Sequence, residues 1–446
     1  MRISVIGTGY VGLVSGVCLA EIGHQAICVD VDQAKVDQIN RGVPPIYENG
    51  LAPLLEKNIQ SGMITATTDL ENAILNTELS LVAVGTPFDG DSIDLSYIRA
   101  VCRQIGAVLK RKKDYHTVVI KSTVVPGTTD QVVVPELETA SSKKAGIDFG
   151  VGMNPEFLRE GEAVGDFMNP DRIVLGAIDE TSLQRLEKLY APFSEVDKIR
   201  TNTRTAEMIK YTANSLLATM ISFSNEIANL CSALGGIDVV DVLKGVHLDR
   251  RLSPLLENGE RIVPALTTYL EAGCGFGGSC FPKDVKALIA HGKQTGLPMQ
   301  LLQAVIEINE RQPDRIIGLI RKHFPSLEGI RVAVLGLAFK PGTDDMRESP
   351  AIPVVTRLLI EKAAVKAYDP VALNEARKLF GTKDIIYCDQ LDDALENAQV
   401  IVILTRWSDF QDIPRHLQDL PSAPLVIDGR RMLEKSKITN YEGIGL

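Results

Sequence analysis

The chain has 446 residues, 45% hydrophobic and 23% charged, with 57 acidic against 47 basic side chains and a formal net charge of −10. At about 100 to 200 residues per domain this length gives two to four domains with cores of their own, which excludes a small disulfide-stapled module and leaves no disordered tract. No Lys/Arg block is present to track a phosphate backbone, so nucleic acid is not expected as a partner; an anionic nucleotide stays open, because helix-start amides and a few placed cations act locally.

In chain order, ISVIG at 3–7, a glycine turn, a helix pattern and QAICVD at 25–30 make one βαβ unit. The same grammar continues through ELSLVAVGTP at 78–87, HTVVIKSTVVPGT at 116–128 and FGVGMNPEF at 149–157. Short β-branched runs that each end in Gly, Pro, Asn or Thr predict a parallel sheet with ligands along its carboxyl ends. From Thr203 to about Ala233 the spacing predicts one long helix without proline or glycine. Such a helix bridges domains and offers an apolar stripe to a second subunit, or buries that stripe within its own chain. A second α/β passage opens at GIRVAVLGLAFKPGTDDMRESP (329–350) and continues through AIPVVTRLLIEKA, AVKAYDP, NAQVIVILTRW and APLVIDGRRML. The expected fold class is α/β: two Rossmann-like open parallel-sheet domains joined by a long central helix and a helical middle region. Expected boundaries are 1–200, 201–310 and 311–446.

Two strings carry chemistry. Gly7-Thr8-Gly9-Tyr10-Val11-Gly12 fits G-x-G-x-x-G directly after a strand and at the opening of a helix. Gly7 serves the tight turn, Gly9 the approach of a pyrophosphate and Gly12 the close packing of the helix. Asp30 closes the second strand, where a carboxylate accepts hydrogen bonds from a ribose and repels a 2′-phosphate, so NAD is preferred over NADP. Lys35 suits the same ribose region and equally a solvated helix face.

The other string, Gly275 to Asp284 (GFGGSCFPKD), sets Cys280 on a glycine-rich turn ahead of a helix, a place that biases a thiol towards thiolate. Lys283 adds positive charge and Asp284 is suited to hold a water; a small buried filler is the other reading of Cys280. The seven cysteines (Cys18, Cys28, Cys102, Cys231, Cys274, Cys280, Cys388) are odd in number, scattered and without a CxxC pair. They read as reduced thiols with no metal site. No apolar run approaches the roughly 18 residues of a membrane span, and the opening stretch is too short for a signal peptide, so a cytoplasmic protein without a membrane partner is expected.

These strings, together with VGTP at 84–87, KSTVVPGT at 121–128, NPEFLREG at 154–161, PDRIV at 170–174, KYTAN at 210–214 and FKPGTDDMRES at 339–349, resemble the UDP-glucose/GDP-mannose dehydrogenase family over nearly the whole chain. The resemblance implies an NAD-dependent, four-electron oxidation of a nucleotide sugar's primary alcohol to a carboxylate, by way of a thiohemiacetal and a thioester on Cys280. It implies that Lys210 stabilises the oxyanion or shuttles the proton, with Asn214 one helical turn on, and that Thr123 and Asp284 hold the catalytic water. Glu156 and Glu160 are the implied acids of the loop, either of them the hydrolytic base. Gly7, Gly9, Tyr10, Val11, Gly12, Asp30, Lys35, Thr86, Thr123, Glu160, Lys283 and Arg347 match cofactor positions. Glu156, Phe157, Leu158, Arg159 and Glu160, with Lys210 and Asn214, match substrate positions, as do Tyr269, Leu270, Glu271, Ala272 and Gly273. So do Gly277, Phe339, Lys340 and, near the diphosphate, Arg430 and Arg431.

One departure is the long segment 252–274, which leaves either Arg251 or Arg261 to serve the neighbouring subunit's sugar site. The UDP-glucose branch is favoured by NPEFLREG and PDRIV, with GDP-mannose or a UDP-N-acetylhexosamine as alternatives. A homodimer through the central helix is expected. A non-catalytic dinucleotide sensor is the rival from another class, opposed by the joint presence of Cys280, Lys210, Asn214 and Asp284.

Overall fold

Strand β1 (Arg2–Ile6) is buried from its second residue on, and its alternate side chains divide between two cores. Ile3 and Val5 pack with the helix Tyr10–Glu21, whereas Ile6 joins the core that contains the helix Ser96–Leu109. The same division runs through β4 (Leu79–Val82) and β5 (Thr117–Ile120), both buried at every position. Continuous β-branched runs are the signature of strands covered on both faces. With β2 (Gln25–Val29), β3 (Ile64–Thr67), β6 (Gly150–Met153), β7 (Ile173–Ala177) and β8 (Lys198–Thr201) they form an eight-stranded sheet ordered β3-β2-β1-β4-β5-β6-β7-β8. β1 to β6 are parallel, and the order reverses between β1 and β4, where a doubly wound sheet opens its ligand crevice.

The pair β7–β8 runs the other way, joined to β6 antiparallel through Gly152 and Met153. This one antiparallel pairing in an otherwise parallel sheet has a local reason. Between β6 and β7 stands only the six-residue helix Ala163–Met168, about 9 Å long, which keeps the connection at the carboxyl end instead of carrying it back across the sheet.

This sheet belongs to one compact unit, Met1–Ala213; the other unit is Asn214–Leu446, and the computed structural model describes residues 1–419 and 423–446. The second unit repeats the plan. Strands β9 (Arg331–Leu335), β10 (Ala364–Tyr368), β11 (Ile385–Tyr387), β12 (Val400–Ile403), β13 (Leu425–Asp428) and β14 (Tyr441–Gly443) form a parallel sheet ordered β11-β10-β9-β12-β13-β14. Its alternate residues again feed two cores: Val332 and Val334 one, Ala333 and Leu335 the other. Even the first turns match. Gly7 (φ +93°) donates to Val29 O at 2.8 Å, and Gly336 (φ +90°) donates to Tyr368 O at 2.8 Å. Asp30 and Asp369, each just past the second strand, accept amides of their own turn.

The boundary between Ala213 and Asn214 falls within the helix Thr203–Leu234. This helix buries Ala218, Ser222, Asn225 and Ala228 along one stripe. Within the second unit the same helix is tied to the helix Gln300–His323 by Ser222 Oγ donating to Val305 O at 2.8 Å and Asn229 Nδ2 donating to Gln312 Oε1 at 2.8 Å.

Candidate active site

In the first unit the glycine turn has the demands that its sequence implies. A Cβ on Gly12 would stand 1.9 Å from Gly7 O, and one on Gly7 2.7 Å from Ala83 O, so both positions exclude a side chain. Gly9, the N-cap of the helix Tyr10–Glu21, has nothing within 4 Å of where its Cβ would lie. Free helix-start amides above an open face are the cradle that a pyrophosphate needs. Asp30 accepts from Thr8 N at 2.9 Å, Thr8 Oγ1 at 2.6 Å and Asp32 N at 3.1 Å. Burial alone would raise its pKa; those donors and the charge of Lys35 outweigh it and hold the carboxyl below its ordinary value. Thr86, after β4, donates to Thr123 O at 2.8 Å after β5, so two of the expected cofactor positions stand side by side at the carboxyl ends.

The loop after β6 is tied to the same end of the sheet. Gly161 N donates to Tyr10 OH at 2.8 Å and to Glu48 at 2.7 Å. Within this loop Glu156 is buried and ion-paired with buried Lys210 at 2.9 Å. Burial raises the pKa of Glu156, but Lys210, the Leu158 amide at 2.6 Å and Lys121 together bring it below the carboxylate's usual value. Phe157 lies under two cations, the Arg172 guanidinium at 3.9 Å and Lys210 Nζ at 5.5 Å from its ring centre. Leu158 packs on the core, while Arg159 pairs outward with Asp166 at 2.6 Å and Glu162 at 2.7 Å.

In the second unit Cys280 is the N-cap of the helix Phe281–Gln294. Among the described residues no disulfide joins any of the seven cysteines, and Cys280 is the one of them that is not buried. Burial pushes the thiols of Cys18, Cys28 and Cys102 up to about 12, which makes them inert fillers. Asp284, in the first turn of that helix and buried, accepts from Asn214 Nδ2 at 2.7 Å and from Lys283 Nζ at 2.6 Å. The turn itself is held from behind: Gly278 N donates to Arg347 O at 2.8 Å, a Cβ on Gly278 would meet the Phe339 ring at 2.7 Å, and one on Gly277 would meet Glu348 O at 2.2 Å. Asn309 clamps Phe276 N at 2.8 Å and Phe276 O at 3.0 Å.

The other expected positions fall into three groups. Gly273 donates to Asn225 Oδ1 at 2.8 Å and accepts from Gln312 at 2.8 Å, Glu271 pairs with Arg406, and Tyr269 packs on Phe281, which together fix the stretch Tyr269–Gly273 with Leu270 and buried Ala272. Arg430 holds Gly275 O at 2.8 Å, and Lys340 Nζ lies 5.8 Å from the Phe339 ring centre. Arg431, by contrast, has a side chain only 5% exposed and spends its guanidinium on Asp238 at 2.8 Å and Ile444 O at 2.8 Å. Of the two arginines in question, Arg261 folds back on Leu248 O and Ser253 O, whereas Arg251 stands 88% exposed beside Asp249.

Reading the sequence missed Lys121, Tyr190, Asn225, Asn309 and Gln312. Lys121 had a signal: it is a charge set directly at the end of the apolar run VVI. The buried amides Asn225 and Gln312 had none beyond helical spacing.

The glycine turn that opens a helix start, with Asp30 past the second strand, is the cradle of a dinucleotide-dependent oxidoreductase. Three models of the UDP-glucose/GDP-mannose dehydrogenase family match: the NAD binding domain over residues 1–194, the central domain over 204–311 and the UDP binding domain over 333–435. The UDP-glucose 6-dehydrogenase AglM of Haloferax volcanii is 43% identical with all of both chains covered. TuaD of Bacillus subtilis, also a UDP-glucose 6-dehydrogenase, is 42% identical over 99% of this chain and 92% of its own. Among solved structures, a UDP-glucose dehydrogenase from Pyrobaculum islandicum is 38% identical with a TM-score of 0.89, covering 100% of this chain and 97% of that one. The chain belongs to the UDP-glucose/GDP-mannose dehydrogenase family. It is an NAD-dependent nucleotide-sugar dehydrogenase.

Proposed function

We propose that the protein oxidises UDP-glucose to UDP-glucuronate with two NAD, through a thiohemiacetal and a thioester on Cys280. The observation that carries the reading is one thiol, the one among seven that is not buried, capping a helix whose first turn holds the Asn214–Asp284–Lys283 network. NAD, held by the Gly7–Gly12 turn and Asp30, supplies a hydride acceptor at each oxidation. Lys210 takes the proton of the sugar's primary hydroxyl as its carbon becomes an aldehyde. The Cys280 thiolate, favoured by the helix start, adds to that aldehyde. After the second oxidation a water held by Thr123 and Asp284 cleaves the thioester, and Glu156 or Glu160 removes that water's proton.

The protein works as a homodimer in the cytoplasm, where its thiol stays reduced. Leu216, Phe223 and Leu230, spaced by seven on the central helix, stand 56%, 50% and 55% exposed and suit a second copy. Arg251, on the surface of the second unit, is the arginine offered to the partner's sugar. UDP-glucose is favoured over GDP-mannose and UDP-N-acetylhexosamines by the relatives at about 40% identity. The test supplies each nucleotide sugar with NAD, following NADH and product mass. Expected are two NADH per UDP-glucose and the mass of the acid; one NADH and an aldehyde would refute the four-electron reading.

A further inference from the structure

The first unit buries two lysines around one carboxylate. Glu156 is ion-paired with Lys210 at 2.9 Å, and Lys121, hydrogen-bonded to Asn154 two residues before Glu156, puts a second buried ammonium in the field of the same carboxylate. Lys121 is buried at the end of β5, where its Nζ donates to Asn154 Oδ1 at 3.0 Å and lies 3.5 Å from Tyr190 OH. Tyr190 OH in turn donates to Asn154 Oδ1 at 2.5 Å, and the Phe167 ring closes the site 6.0 Å from the ammonium. The groups that face Lys121 are therefore Asn154 and Glu156 from the loop, Tyr190 after the helix Glu180–Leu189, Phe167 from the helix Ala163–Met168 and Lys210 from the long helix.

Such an arrangement has a consequence for charge. With both lysines protonated the buried cluster carries one positive charge too many, and the low dielectric around it makes that excess costly. One proton is then held weakly. We propose that Lys121 is a positioning residue for Lys210: a second buried ammonium that shares Glu156, weakens Lys210's hold on its proton, and so readies Lys210 to receive the proton of the substrate's hydroxyl. Burial, and to a lesser degree Lys210, bring the Lys121 ammonium down to about 8, although Glu156 works the other way. In the step served, the hydroxyl proton goes to Lys210, the O–H pair becomes the second carbon–oxygen bond, and the carbon's hydrogen leaves with its pair as hydride to NAD. The proposal rests on the oxidation proposed above.

Two measurements decide it. In kcat/KM against pH, whose acidic limb reports the free enzyme's base, Lys121→Met moves that limb up by about one unit, the effect of removing a neighbouring like charge. Tyr190→Phe, which removes a hydroxyl and no charge, leaves it in place. An unmoved limb in Lys121→Met, or an equal move in Tyr190→Phe, overturns the proposal. Thermal unfolding of Lys121→Met, Lys210→Met and the double variant supplies an arm independent of turnover. Each single change leaves Glu156 one counter-charge, so the double variant loses more than the sum of the two; additive losses would overturn the sharing. Absence of turnover on every nucleotide sugar would sink the proposed function and leave the thermal cycle to decide whether the lysines share the acid.

Discussion

Glu207, on the first turns of the long helix, has its carboxylate wholly inside the first unit, where it accepts from Gly127 N at 2.5 Å, Thr129 N at 2.8 Å and Thr129 Oγ1 at 2.6 Å. Burial outweighs those donors and pushes it up to about 7. A carboxyl whose folded value lies above its unfolded value holds more protons when folded. Its contribution to stability is full below about pH 4.5 and is lost as the pH climbs through 7, a swing on the order of 3 kcal/mol. The stability of wild type minus that of Glu207→Gln, from denaturant titrations, is expected to fall across this window. A flat difference would mean that the acid is ionised throughout. At this scale legibility was uneven. Cys280 could be singled out by its glycines and the helix after it, but a lysine on a helix reads as solvated, and only the family match drew attention to Lys210. Lys121 went unnoticed because its partners, Asn154, Glu156 and Tyr190, come from distant positions in the chain.

Among the elements, strands with unbroken β-branched runs were plain in the sequence, since burial on both faces leaves no alternation to confuse. Short or partly exposed ones were not: β3, β8 and β14 carry lysines, threonines or an acid, β11 has only three residues, and all four lie at sheet edges. The long helix was legible to within a residue of its end. What its outer face does can be tested directly. Leu216→Glu with Phe223→Glu places two carboxylates on an apolar stripe proposed to meet its twin, and light scattering is expected to show the mass halved at micromolar concentration. A wild type already monomeric there, or a variant still dimeric, would remove the helix from the interface.

For the molecule as a whole, the six parallel strands of the larger sheet and the six of the other share one order and one first-turn geometry, yet their turns differ in chemistry: Gly7–Gly12 leaves an open helix start, whereas Gly336 is followed by Leu337, Ala338 and Phe339. One plan therefore serves an NAD binding domain and a UDP binding domain, each matched as such. The proposed chemistry makes a strong demand on this design, because covalent capture has to occur at one named sulfur. Wild-type protein quenched with acid during turnover of UDP-glucose and NAD, digested and read by mass spectrometry, measures that demand. The account predicts a nucleotide-sugar acyl adduct on the peptide that contains Cys280, absent from Cys280→Ser. Turnover to the acid with that peptide unmodified, or undiminished in Cys280→Ser, would contradict it.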